Sequence, residues 1–197
     1  MMFRQITLLI AGLVAAFGAM LGAALVTAAP AMSMEMHDVV GQYGWKTTDA
    51  VYDPASKSYY QLRVWTELGG MPWDKANQYA SEQSFKGVQG RLAVVEDYDT
   101  HLFLLKTFRI RYPTWIGMKV NCKPIRAFWL DGKAVDELDF NAWDMKQWYR
   151  DQKVTCMNGS EWMGVYYTST SDLFRWQASG QHKSFDFLFI QYPTGKP

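Results

Sequence analysis

The residues best equipped for chemistry are few. Cys122 and Cys156 are the only thiols, and the three histidines, His37, His101 and His182, lie far from both in the chain. That spacing matches no zinc site, whose ligands come in short paired steps. No Gly-x-Ser-x-Gly elbow, His-Glu-x-x-His helix, Walker loop or dinucleotide fingerprint occurs. Paired carboxylates such as Asp97 and Asp99 are too common to mark an acid–base site. Asp131, Asp136, Glu137, Asp139 and Asp144 read as a solvated acidic loop; the alternative is a metal site, but their spacing fits no ordered calcium loop. The expectation is no catalysis, no cofactor and no resident metal.

What remains is aromatic and cationic surface. Between Trp143 and Trp162 the chain carries Trp148, Tyr149 and Arg150 in succession. Such residues dominate hot spots at protein interfaces and also stack on sugar rings, so these three form the candidate ligand-binding patch. Trp143 and Trp162 are expected to pack beneath the loop instead. Asn158-Gly159-Ser160 has the form of a glycosylation acceptor, although Gly159 makes an ordinary turn the preferred reading.

The elements that must position this loop can be read from pattern. Pro72 suits a first helical position, Asp74 complements the positive end of the helix dipole, and Trp73, Ala76 and Ala80 fall on one face. Thr100 is a plausible cap for a second helix, with Leu102, Leu105 and Phe108 on its buried side. Arg91 to Val95 and Thr114 to Met118 are short apolar runs. Phe128-Trp129-Leu130-Asp131-Gly132 ends in a dipeptide suited to a tight turn.

The chain has 197 residues and a formal net charge of +1, with its Lys and Arg scattered. No basic face of the kind nucleic-acid binding needs is present. At the start, Arg4 precedes an apolar stretch from Ile6 to Val26, and Thr27-Ala28-Ala29-Pro30-Ala31 follows. This order of charged, apolar and small residues reads as a signal peptide over residues 1–31, cleaved after Ala29 or Ala31, which sends the protein to the periplasm or the exterior. An uncleaved anchor is the alternative, since about twenty residues suffice to span a bilayer, and only then is a membrane a partner. Residues 32–58 are expected to form a short mature N-terminal segment, loosely ordered at first, ahead of one domain over residues 59–197. In an oxidising compartment the two cysteines are expected to pair, the alternative being two buried free thiols.

In spacing and residue type the segments from Pro72 to Ala80, Gly90 to Val95, Thr114 to Met118, Phe128 to Gly132 and Phe140 to Trp143 resemble the C-type lectin-like domain. Trp115-Ile116-Gly117 is similar to that family's buried Trp-Ile-Gly strand, and Trp129-Leu130-Asp131-Gly132 to its Trp-x-Asp-Gly turn. The resemblance runs from about Tyr59 to Tyr192. It implies an α+β fold of two helices with small antiparallel sheets and a long loop region, used as a binding module. Trp73, Trp115, Trp129, Phe187, Leu188 and Phe189 become the candidate core.

Two departures from the family pattern follow. The positions matching its usual cysteines look like Ala80 and Gln191, so both habitual disulfides are missing, while Cys122 and Cys156 bracket the segment corresponding to the long loop. Calcium-dependent members hold the metal with Glu-Pro-Asn or Gln-Pro-Asp in that loop and Trp-Asn-Asp in a later strand. Here the loop proline is Pro124, in Lys123-Pro124-Ile125, and the strand reads Arg175-Trp176-Gln177-Ala178. Sulfatase-modifying factors, elaborated relatives that oxidise through cysteines, leave no matching motif in this chain. The reading is an exported module that recognises a protein or a glycan without calcium through the loop from Met118 to Tyr166. Its alternative is a structural subunit of an envelope assembly, anchored by its N-terminal helix.

Overall fold

The structure, a computed structural model, describes residues 35–144, 155–168 and 175–197. Among the described residues there are two α-helices and fourteen strands. In chain order they are β1 (His37–Asp38), β2 (Trp45–Thr47), β3 (Val51–Asp53), β4 (Ser58–Trp65), β5 (Met71–Pro72), α1 (Trp73–Glu82), β6 (Ser84–Phe85), β7 (Val88–Gln89), β8 (Arg91–Leu92) and α2 (Tyr98–Phe108). Then come β9 (Thr114–Cys122), β10 (Ile125–Trp129), β11 (Trp162–Tyr167), β12 (Trp176–Gly180), β13 (Ser184–Phe185) and β14 (Phe187–Tyr192). The main sheet runs β1-β2-β4-β14-β9-β11-β12, with β3, β8 and β10 attached at its side. All its pairings are antiparallel except β14 with β9, which sets Leu188 beside Trp115. This is the expected α+β arrangement. Among the described residues no helix is long and apolar enough to cross a membrane.

Residues 35–58 do more than precede the domain. β1 pairs with β2, β2 and β3 pair with β4, and Trp45 stacks on Tyr79 of α1 with ring centroids 3.7 Å apart. The burial of Trp45 against α1 supplies the reason, because an indole removed from water holds its strand in place.

Both helices appear where expected, with shifted starts. Pro72 is the extended N-cap of α1 rather than its first helical residue, and Trp73, Ala76 and Ala80 are buried as the spacing predicts. For α2 the cap is Asp97, whose carboxylate accepts the Thr100 backbone N–H at 2.7 Å. Thr100 therefore sits inside the first turn. The earlier start turns the helix so that Thr100, His101, Leu104 and Phe108 are buried, leaving Leu102 and Leu105 half-buried.

The core lies on both faces of the sheet. On one face Trp73 of α1 packs with Trp115, Leu188, Ile190 and Tyr192; on the other, Phe108 of α2 packs with Ile116, Met118, Tyr167 and Phe189. Trp176 is fully buried at the centre of the second group, within 5.3 Å of Trp129 and 5.9 Å of Trp143 between ring centroids. Of the six expected core residues five are buried, and Phe187 is half-buried, stacked on Tyr112. Gly164 lets α1 approach the sheet, since a Cβ there would stand 2.6 Å from that of Trp73.

Candidate functional site

The loop end of the sheet is built by β9, β10 and β11. β9 ends on Cys122, which turns through Pro124 into β10, and β11 begins at Trp162 opposite Asn121. Cys122 and Cys156 are disulfide-bonded, their Cα atoms 5.3 Å apart, so the bond ties the end of β9 to the segment entering β11. Trp148, Tyr149 and Arg150 lie outside the described residues. Trp143 is buried against Trp176. Gly159 takes a φ of +89°, which fits the turn expected at Asn158-Gly159-Ser160.

Burial alternates along β12, with Gln177 half-buried on the face opposite Trp176 and Ala178. Trp176 and Ala178 are buried, and between them the Tyr166 hydroxyl donates to Gln177 Oε1 at 2.8 Å while Gln177 Nε2 donates to Asp144 Oδ2 at 3.2 Å. The Asp144 backbone N–H closes the group by donating to the Trp176 carbonyl at 3.0 Å. The five loop acids do not converge. Asp131 meets Lys133, Asp136 and Glu137 meet Arg126, Asp144 meets Gln177, and Asp139 is exposed. Among the described residues no three metal-ligating side chains form a group.

No family model matches the chain, and no curated protein is similar to it in sequence. Solved structures do match its shape. The C-type lectin CEL-I from Cucumaria echinata superposes with a TM-score of 0.51 over 78% of this chain and 97% of its own, at 14% identity. Human lithostathine gives 0.51 over 77% and 98%, at 16% identity. The carbohydrate-recognition domain of human scavenger receptor C-type lectin gives 0.50 over 76% and 96%, at 14% identity. The fold is C-type lectin-like.

Within this C-type lectin-like fold one matched position needs correction. Ala80 faces Ile190 and Tyr192, whereas Gln191, one residue out of phase on β14, points to the other side of the strand. There Gln191 accepts from Arg91 Nε at 3.0 Å and the Val94 N–H at 3.1 Å, and donates to Ser58 Oγ at 3.0 Å.

Those bonds belong to a polar cleft of about 290 Å³ lined by Arg91, Glu96, Asp97, Asp131, Lys133 and Gln191 among others. Lys133 Nζ lies 2.6 Å from Glu96 Oε2 and 3.6 Å from Asp131 Oδ2. Burial pushes the Glu96 carboxyl up despite the lysine. At Asp131 burial acts the same way, but the Lys133 N–H and the Glu96 carboxyl outweigh it and hold that carboxyl low. Outside this cleft, on α2, burial and the Arg175 guanidinium depress His101 to about 4, so its ring is neutral near neutral pH, with Nδ1 2.8 Å from the Tyr167 hydroxyl.

A second groove, of about 400 Å³, opens at the other side of the loop end and is lined by Pro72, Asp74, Trp162, Gln181 and His182. Trp162 is braced edge-on by Trp73 at 5.8 Å and by Lys119 Nζ, 4.2 Å from its ring centroid. Burial lowers the Lys119 ammonium, with Asp74 opposing the shift. None of these groove residues stood out in the sequence as a contact. Asp74 read as a dipole partner, Trp162 as packing and His182 as a stray histidine.

Proposed function

We propose that this chain is an exported, non-catalytic binding module that recognises a protein or glycan through the loop face from Met118 to Tyr166 without calcium. The observation that carries the reading is the commitment of the Gln177 side chain on β12. Gln177 spends its amide on Tyr166 and Asp144, and Ala178 offers no oxygen, so a cation needing six to eight oxygens finds no cage at that strand. The disulfide and the fold support a loop held in place as a recognition surface, with Trp148, Tyr149 and Arg150 as its proposed anchors. A glycan array run beside a pull-down, with and without chelator, tests it. Chelator is expected to leave binding unchanged, and Trp148→Ala to weaken it by about 2 kcal/mol, as loss of an aromatic anchor does, with no change in melting temperature. Binding abolished by chelator and restored by calcium would overturn the reading. So would a Trp148→Ala variant that fails to fold, since the residue would then belong to the core.

A structural role in an envelope assembly is the second reading, favoured by the length of the Ile6–Val26 stretch. N-terminal sequencing separates the two. The module reading expects a mature chain beginning near Pro30 or Met32, and retention of Met1 or Met2 on the exported protein would favour the anchored subunit.

A further inference from the structure

The two polar hollows of this molecule differ in how their side chains are committed. In the cleft around Gln191, the side chains of Arg91, Glu96, Asp97, Lys133 and Gln191 are all engaged with protein partners. In the groove beside Trp162, Asp74, Gln181 and His182 make no side-chain hydrogen bond and no ion pair with any described residue; Asp74 senses Lys119 only electrostatically. Three uncommitted polar groups thus surround an indole that Trp73 and Lys119 hold fixed. A carboxylate accepts two hydroxyl protons, an amide both donates and accepts, and an imidazole does either. An indole supplies an apolar face for C–H groups. That combination fits a ring bearing hydroxyls on its rim and C–H bonds on its face. The open shape of the groove suits a ligand presented at the end or along the side of a chain.

From this we infer that the groove lined by Asp74, Trp162, Gln181 and His182 is a saccharide subsite, in which a pyranose lies against Trp162 and its hydroxyls bond to Asp74, Gln181 and His182. The inference rests on the binding-module reading and deepens it: the ligand is a glycan, and a contact is made outside the 148–150 patch. It needs no metal, because every polar contact is a direct hydrogen bond between a sugar hydroxyl and a side chain.

The test titrates the full mature chain with soluble glucan, mannan, galactan and chitin oligosaccharides while following the tryptophan indole N–H resonances by NMR. Binding of one of these series is expected to shift the Trp162 indole, and Asp74→Asn is expected to weaken it at least tenfold. Asp74 is exposed, so this variant keeps the fold, which spares the test from relying on Trp162→Ala. A saccharide that shifts only Trp148 and is indifferent to Asp74→Asn would overturn the inference while leaving the module reading intact. Binding of a protein ligand with no response to any oligosaccharide would do the same. Absence of any ligand in the array and pull-down would remove both.

Discussion

The cleft at Gln191 and the groove at Trp162 hold similar residue types, a carboxylate or two, an amide and a cation, yet they do opposite things. In the cleft most of these groups bond one another across β4, β8, β14 and the turn after β10, with Glu96 Oε1 alone buried among them without a partner in the described residues, and the bonds tie the strands together. In the groove they remain unspent. Convergence of polar side chains is thus a poor sign of function by itself; what matters is whether the protein has already used their hydrogen bonds.

The contrast can be broken by experiment. The largest effect is expected at the loop end itself. Reducing Cys122–Cys156, which closes a separation of 34 residues, should lower stability by about 3 to 4 kcal/mol in the chain-entropy account while the core still folds. Denaturant melts with and without reductant measure this. Gln191→Ala comes next, since it strands the buried Val94 N–H and frees Arg91 and Ser58. A loss of about 2 kcal/mol in the same melts is expected, with ligand binding untouched. If that substitution were silent, the cleft would not be the structural region described.

A smaller, pH-dependent effect comes from His101. Its folded pKa of about 4 lies below the ordinary 6.5, so the unfolded chain binds the extra proton between those values. Stability should therefore fall as pH drops from about 6.5 toward 4, and His101→Phe should flatten that slope in thermal melts. The smallest effect belongs to the groove. Asp74→Asn should change stability by no more than about 0.5 kcal/mol, because the carboxylate is exposed and makes no hydrogen bond or ion pair with a described residue. A large loss there would make Asp74 structural and erase the difference between the two regions.

Much of the frame was legible in the sequence because its signals are local. Trp73, Ala76 and Ala80 mark α1 by helical spacing alone, and the Trp115 and Trp129 steps name buried strands. Phase was harder to read. At α2 the Asp97 carboxylate took the capping role assigned to Thr100, and the buried stripe moved with it. At β14 a strand's alternation meant that an offset of one residue set Gln191 on the wrong face. The groove was not legible at all. Pairing of Ser184 with Pro72 and of Gly180 with Met163 brings Gln181 and His182 beside Asp74 and Trp162, and such registers exist only after the chain has folded.

The proposed independence from calcium rests on Gln177, whose amide is taken up by Tyr166 and Asp144. A calcium titration watched at the side-chain amide of Gln177 by NMR, alongside the melting temperature, tests it most directly. Millimolar calcium is predicted to leave both unmoved. A saturable shift at Gln177 with a rise in melting temperature, reversed by chelator, would contradict the claim.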